Sequence, residues 1–462
     1  MRTGRRSFPS RRALVAATAV VALTGGLGAA GSVAQGKDDG PAATAPAPRN
    51  KAVEAVGPDV VVFALTDVSN NGGPSGGFLG YAIGTRSCNR GDAPLNWCSE
   101  STSSHCAAGA GVEDHPVIAQ NLYRLKNGRF EQIGMSWLKH GFLSTNSSTS
   151  GCNGASGTGG CTPSTPEGSA VLRVGCTDPY VASLNGGRPL GRRSEVDATA
   201  GTFAYPPSSP GGPYTVFDER VKVATTDVDP TLNPGATFWA EGQYFASDDA
   251  GAGNALNNAS YQRVNIGGSP SYAISLAGGT FVERQSAIQA WKAQDSTVNI
   301  LDVDVPGSAP AERYQVARKV TDLGGGLWHY EYAVRNHNSD RSARALTIDF
   351  PTATNFSGIG FKDIESHSGE PYATTDWSVS TTSTEVSWFT DDFATNANAN
   401  ALRFASMFNF WFDADQPPGD NVINTLELFK PGSPTSLTFN KFNELFINGF
   451  EGGNTIAWSG AS

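Results

Sequence analysis

Six histidines are spread over the 462 residues, and three of them, His105, His115 and His140, fall in the stretch that also holds every cysteine. Imidazole is the commonest transition-metal ligand, and two histidines with one carboxylate suffice to hold zinc, copper or iron. His115, His140 and Asp178 are therefore the candidate catalytic set of one reading, a secreted metal-dependent hydrolase or oxidase. Lys139-His140 lies between Trp137 and Phe142, and a partly desolvated imidazole there could serve as a general base near neutral pH. No short ligand spacing joins these residues, so ordinary core or surface histidines are the competing reading. A second group is rich in oxygen. Asp227-x-Asp229-x-x-x-Asn233 and Asp248-Asp249 with Asn254, Asn257 and Asn258 bracket Trp239, Glu241 and Tyr244. Hard oxygen ligands on such loops suit calcium, although the spacing departs from the EF-hand pattern and solvated turns would look the same. A third group is aromatic. Nine Trp and twelve Tyr supply flat rings that can stack on sugars, and Trp97, Trp377 and Trp458, each set in polar sequence, are expected at the surface. His367, in the polar loop Glu365–Tyr372, is grouped with Trp377 as a candidate binding residue. Ready-made catalytic motifs are missing: there is no H-E-x-x-H, no Walker loop and no G-x-G-x-x-G. Gly73-Pro74-Ser75-Gly76-Gly77 fits G-x-S-x-G, but a nucleophile elbow needs a helix after it, and the strand-like Phe78–Ile83 follows instead.

These residues belong to a chain that reads as exported. A basic start with Arg5-Arg6 and Arg11-Arg12 leads into an apolar run from Ala13 to Leu23 and then small residues ending at Ala34. That order is a signal peptide, of twin-arginine or ordinary type. The run is about half the roughly 20 residues of a membrane helix, so no span is expected. Removing residues 1–34, with five Arg and no acid, leaves 28 basic against 43 acidic residues, a net charge of −15. Nucleic acid and anionic membrane surfaces are poor partners for that charge, and no nucleic acid partner is expected. Cys88, Cys98, Cys106, Cys152, Cys161 and Cys176 are clustered, even in number and free of any C-x-x-C pair. In an exported chain they read as three disulfides rather than a zinc site, with the pairing left open.

The elements that would position the candidate residues are mostly strands. Asp59–Leu65 is a β-rich run, and Leu122–Leu125 and Arg129–Ile133 flank Lys126-Asn127-Gly128, a strong hairpin signal. Glu283–Gln294 is the one helix expected, from the spacing of Ala287, Ile288 and Trp291. Alternation predicts strands at Val298–Val305, at Leu327–Val334 with Trp328, Tyr330, Tyr332 and Val334 on one face, and at Phe404–Phe412 with four Phe on one face.

At Tyr330-x-Tyr332-x-Val334-x-Asn336 the chain resembles the inner strands of immunoglobulin-like modules on bacterial surface proteins. His115–Leu125, Gly134–Phe142 and Gly175–Tyr180 resemble an uncharacterised family of secreted bacterial β-proteins. Gly449–Ser459 is similar to the GFESGDTSAWS-type tails (GFExGxTxxWS) that end many extracellular bacterial proteins, departing at Gly452, where Ser is usual, and at Asn454, where Asp is usual. The resemblances imply fold and export and carry no chemistry. The expectation is thus a mainly β, multi-domain protein: signal peptide 1–34, disordered linker 35–54, disulfide-rich β domain 55–213, β-rich middle segment 214–310 with one short helix, immunoglobulin-like β-sandwich 311–441 and tail 442–462. The function expected first is binding of an extracellular polymer, carbohydrate in particular, or of a cell-surface component.

Overall fold

The computed structural model describes residues 55–440 and 442, apart from 107–108, 155–160, 162–165, 187–189, 209–216 and 218. The expected signal peptide, the linker and, apart from Phe442, the tail with Trp458 lie outside the described residues, and Phe442 packs into the core of the sandwich. Three sheets dominate.

The first has 11 strands. Its main path begins with Val60–Asn70 and Phe78–Asn89 and ends with Ala259–Ile266 and Ile274–Leu276. The sheet curls so that its two ends meet, with Ser260 Oγ donating to Val62 O at 2.6 Å and Tyr81 Oη to Tyr272 O at 2.7 Å. Its concave side encloses a core that includes Val60, Val62, Leu79, Tyr81, Ile118, Leu122, Val221 and Tyr244. The expected hairpin forms as Val117–Lys126 and Arg129–Met135, and both Asn127 (φ 52°) and Gly128 (φ 82°) adopt the left-handed backbone that a tight hairpin turn requires.

The other two sheets have five strands each and form an antiparallel sandwich. The inner sheet runs in the order Asn299–Asp304, Arg313–Gly324, Leu327–Asn336, Ser406–Ala414, Phe356–Lys362. The outer sheet runs Ser378–Thr381, Glu385–Phe389, Ala343–Asp349, Ile423–Leu428, Ser436–Phe439. Alternation drives the packing: Tyr330, Tyr332, Val334, Phe408, Phe410 and Phe412 of the inner sheet meet Leu346, Ile348, Trp388 and Leu426 of the outer sheet. The opposite face of the inner sheet contributes Ala317, Ala333 and Met407 to a separate core with Tyr123, Phe130, Trp239 and Trp291 of the front half.

Several expectations need correction. The boundary at 213/214 does not separate sheets, because Val221–Ala224 inserts between Phe78–Asn89 and Arg129–Met135 and buries Val221 and Val223 in the first core. The boundary at 310/311 falls too late, since Asn299–Asp304 is an edge strand of the sandwich and Val303 and Val305 enter its core. The expected helix shrinks to Gln289–Gln294; Arg284 has φ 61°, which a right-handed helix cannot contain, yet Ala287, Ile288 and Trp291 are buried as their spacing implied. Phe404 precedes its strand and packs on Phe245, away from the other three Phe.

All six cysteines pair, as Cys88–Cys152, Cys98–Cys106 and Cys161–Cys176. The sequence separations of 64, 8 and 15 imply, by loop closure, roughly 4, 2.5 and 3 kcal/mol of stabilisation. Among the described residues no helix is long and apolar enough to cross a membrane.

Candidate functional site

The structure brings His115 and His140 together. Strand pairing of Val117 with His140 places them side by side, and His115 Nε2 lies 2.9 Å from His140 Nδ1. His115 Nδ1 faces the carbonyls of Cys98 and Val112, each at 3.0 Å. Carbonyls only accept, so the proton sits on His115 Nδ1, His140 Nδ1–H donates to His115 Nε2, and His140 Nε2 is left as a bare lone pair. That lone pair is buried without a hydrogen-bond partner and lies where a Cβ on Gly191 would come within 2.6 Å. Phe203 and Tyr205 pack against both rings. Asp178 does not complete the set: its Oδ1 accepts from Thr145 N at 2.8 Å, and no group of three or more His, Cys, Asp or Glu is placed to hold a metal among the described residues.

Burial acts on these groups in opposite directions with pH. It lowers His140 from 6.5 to about 3, with His115 adding to the effect, and also lowers His115. It raises Asp178 from 3.8 to about 7. The unfolded chain therefore takes up the His140 proton first as pH falls below 6.5, and stability is lost from there toward the folded value. For Asp178 the stability is fully present below 3.8 and is lost as pH rises through about 7. Each contributes on the order of 4 kcal/mol across its window. His140→Gln is expected to flatten the acid limb of a plot of unfolding free energy against pH, and Asp178→Asn the limb between acid and neutral. Unchanged slopes in chemical denaturation across pH would contradict this.

The oxygen-rich residues are held by separate partners. Asp227 Oδ1 pairs with Arg124 at 3.1 Å, and Asp229 binds Thr231 and Tyr272. Asp248 accepts from the backbone of Asn96, and Asp249 from Val60 N and the Asn258 amide. The expectation that Trp97 and Trp377 lie at the surface is corrected. Trp97 is 1% and Trp377 3% exposed; Trp97 joins the first core, and Trp377 stacks on Phe361 with its Nε1 donating to Asn400 O. Polar neighbours in sequence concealed this burial. His367 is buried as well, with Nε2 2.9 Å from Arg220 O.

His367 nevertheless marks a cleft. The irregular segment 363–377 leaves the inner sheet and crosses to the front half, where Trp137 Nε1 donates to Ser368 O and Glu370 accepts from Arg193 N and Ser194 N. Beneath it lies a cavity of about 360 Å³, walled by Phe78, Met135 and Lys222 on one side and by Phe361, Asp363 and His367 on the other. Its size falls within the roughly 300–1,000 Å³ usual for small-ligand sites. Lys222 Nζ is 3.1 Å from Ser368 Oγ and 4.5 Å from the Phe78 ring centre. Lys362 Nζ lies 3.4 Å from Glu131 and 3.9 Å from Asp227. Asp363 accepts from Asn400 Nδ2 at 2.5 Å and is held above its ordinary value by burial, then by Asp376 and Glu365. Sequence reasoning reached His367 but missed Lys222, Lys362, Asp363 and Asp376; a long segment without regular structure between two strands was the available signal. No known family model matches this chain, and comparison with curated proteins finds no relative.

Proposed function

We propose that this is a secreted or surface-associated binding protein, and that a segment of an extracellular carbohydrate polymer rests in the cleft beneath residues 363–377. The observation that carries this reading is the cleft itself: a concave space with Phe78 and Phe361 among its walls and both ammonium and carboxylate groups along it. Sugars offer an apolar ring face and many hydroxyls, which such a mixed lining can meet. Export is supported by the three disulfides, which persist in oxidising compartments, and by the signal-like residues 1–34. The alternative, a metal hydrolase at His115, His140 and Asp178, has less support, because the imidazoles bond to each other beneath Phe203 and Tyr205 and Asp178 bonds elsewhere.

Binding of the mature protein to a panel of immobilised polysaccharides tests the proposal. At least one should be retained, and Lys222→Ala should weaken its binding by about tenfold, or about 1.4 kcal/mol, without shifting the melting temperature. Retention of none of them, or binding indifferent to Lys222, would overturn it.

A further inference from the structure

Of the described lysines only Lys139 is fully buried, and Gln120 and Asn185 are fully buried as well. Lys139 on Leu138–His140 pairs with Ile118 of Val117–Lys126, so Gln120, two residues on, is its diagonal neighbour on the same face of the sheet. Both side chains end on the backbone of Ile83. Lys139 Nζ donates to Ile83 O at 2.6 Å, and Gln120 Nε2 donates to that same oxygen. Gln120 Oε1 accepts from Ile83 N at 3.1 Å and from Asn185 Nδ2 at 3.3 Å. Because Ile83 N only donates and Ile83 O only accepts, the orientation of the carboxamide is fixed. The charge that favours a protonated Lys139, Asp67, is itself engaged with Ala182 N and Thr66 Oγ1. Burial outweighs it and holds the amine well below its ordinary value, toward the neutral form that is a nucleophile.

We propose that Lys139 and Gln120 become joined by an isopeptide bond between Nζ and Cδ. The two nitrogens share one acceptor oxygen, and the flexible four-carbon stem of the lysine lets Nζ close onto Cδ. As the amine lone pair attacks Cδ, charge develops on Oε1, which already holds the two donors Ile83 N and Asn185 Nδ2. One Nζ proton passes to Nε2, the Cδ–Nε2 bond breaks and ammonia leaves, so no oxidant or other reagent is consumed. Confinement in one buried site replaces the concentration that a bimolecular aminolysis would need, and a single slow turnover per molecule suffices. The product ties neighbouring strands by a bond that survives reduction, as the three disulfides do not.

Peptide mapping of the reduced and alkylated mature protein by mass spectrometry tests this. Trypsin cuts between the two residues at Arg124, Lys126 and Arg129, so the bond should appear as a branched peptide lighter by one ammonia than its two parts. Lys139 should also escape an amine-specific label in the denatured chain. Total mass alone does not decide, because an N-terminal Gln35 exposed by cleavage after Ala34 would also lose ammonia on cyclising. Lys139→Met should abolish the branched peptide. Separate Lys139 and Gln120 peptides from the unaltered protein overturn the proposal, whether or not the variant folds. A branch from Lys139 to Asn185 overturns the assignment of Gln120, and a branch that persists in Lys139→Met shows that other residues form it.

Discussion

Arg335→Met is expected to lower the unfolding free energy by about 3–5 kcal/mol, the cost of leaving one member of a buried ion pair alone. Arg335 and Glu241 are both fully buried, with Arg335 Nη2 2.9 Å from Glu241 Oε1. The pair spans the junction of the front sheet and the sandwich, since Glu241 lies on Thr237–Phe245 and Arg335 on Leu327–Asn336. Glu241 also accepts from Asn121 Nδ2, Tyr123 Oη and Ala287 N, and Arg335 donates to Gln243 Oε1. The carboxylate would keep these neutral donors but lose its guanidinium partner. Glu241→Gln combined with Arg335→Met should cost less than the sum of the two single changes, because no lone charge remains buried. Urea denaturation of the three variants measures this. A loss under about 1 kcal/mol for Arg335→Met would show that the pair does not hold the junction.

The sandwich strands were legible because their residues obey one rule at a time. Tyr330, Tyr332 and Val334 alternate with polar neighbours, and Asn127-Gly128 names its own turn, so local pattern and tertiary packing agree. The cysteines were legible as bonded, while their pairing depended on where the curled sheet places Cys88 near Cys152. The junction was not legible. Glu241, Arg335, Gln243 and Asn121 look like surface residues in sequence, and only the facing of two sheets makes them interior. Trp97 and Trp377 misled for the same reason, since burial is decided by distant partners such as Asn400 O. The cleft depends on Lys222 and Asp363, far apart in the chain, and their meeting is a property of the fold alone.

The junction also decides which fragments can stand alone. Residues 296–442 are expected to fold cooperatively, whereas 311–442 should be markedly less stable. The sandwich core lies between its own two sheets, from Val303 to Phe442, and needs nothing from the front half. The face it would expose mixes Gln315, Glu331, Arg335 and Asn409, polar groups that water can solvate, with the apolar Ala317, Ala333 and Met407. Starting at 311 removes the strand Asn299–Asp304 with Leu301, Val303 and Val305. The buried Val303 and Val305 are each worth roughly 1.5–3 kcal/mol and the partly buried Leu301 less, and their loss would also bare the edge of Arg313–Gly324 to other chains. Circular dichroism melts of the two fragments side by side check this. Arg335→Met made in residues 296–442 supplies the control, because there the guanidinium faces water and its replacement should cost little. Equal melting temperatures for the two fragments would mean that the edge strand adds nothing to the sandwich, and an equal cost of Arg335→Met in fragment and full chain would mean that its partner lies within the sandwich and not at Glu241.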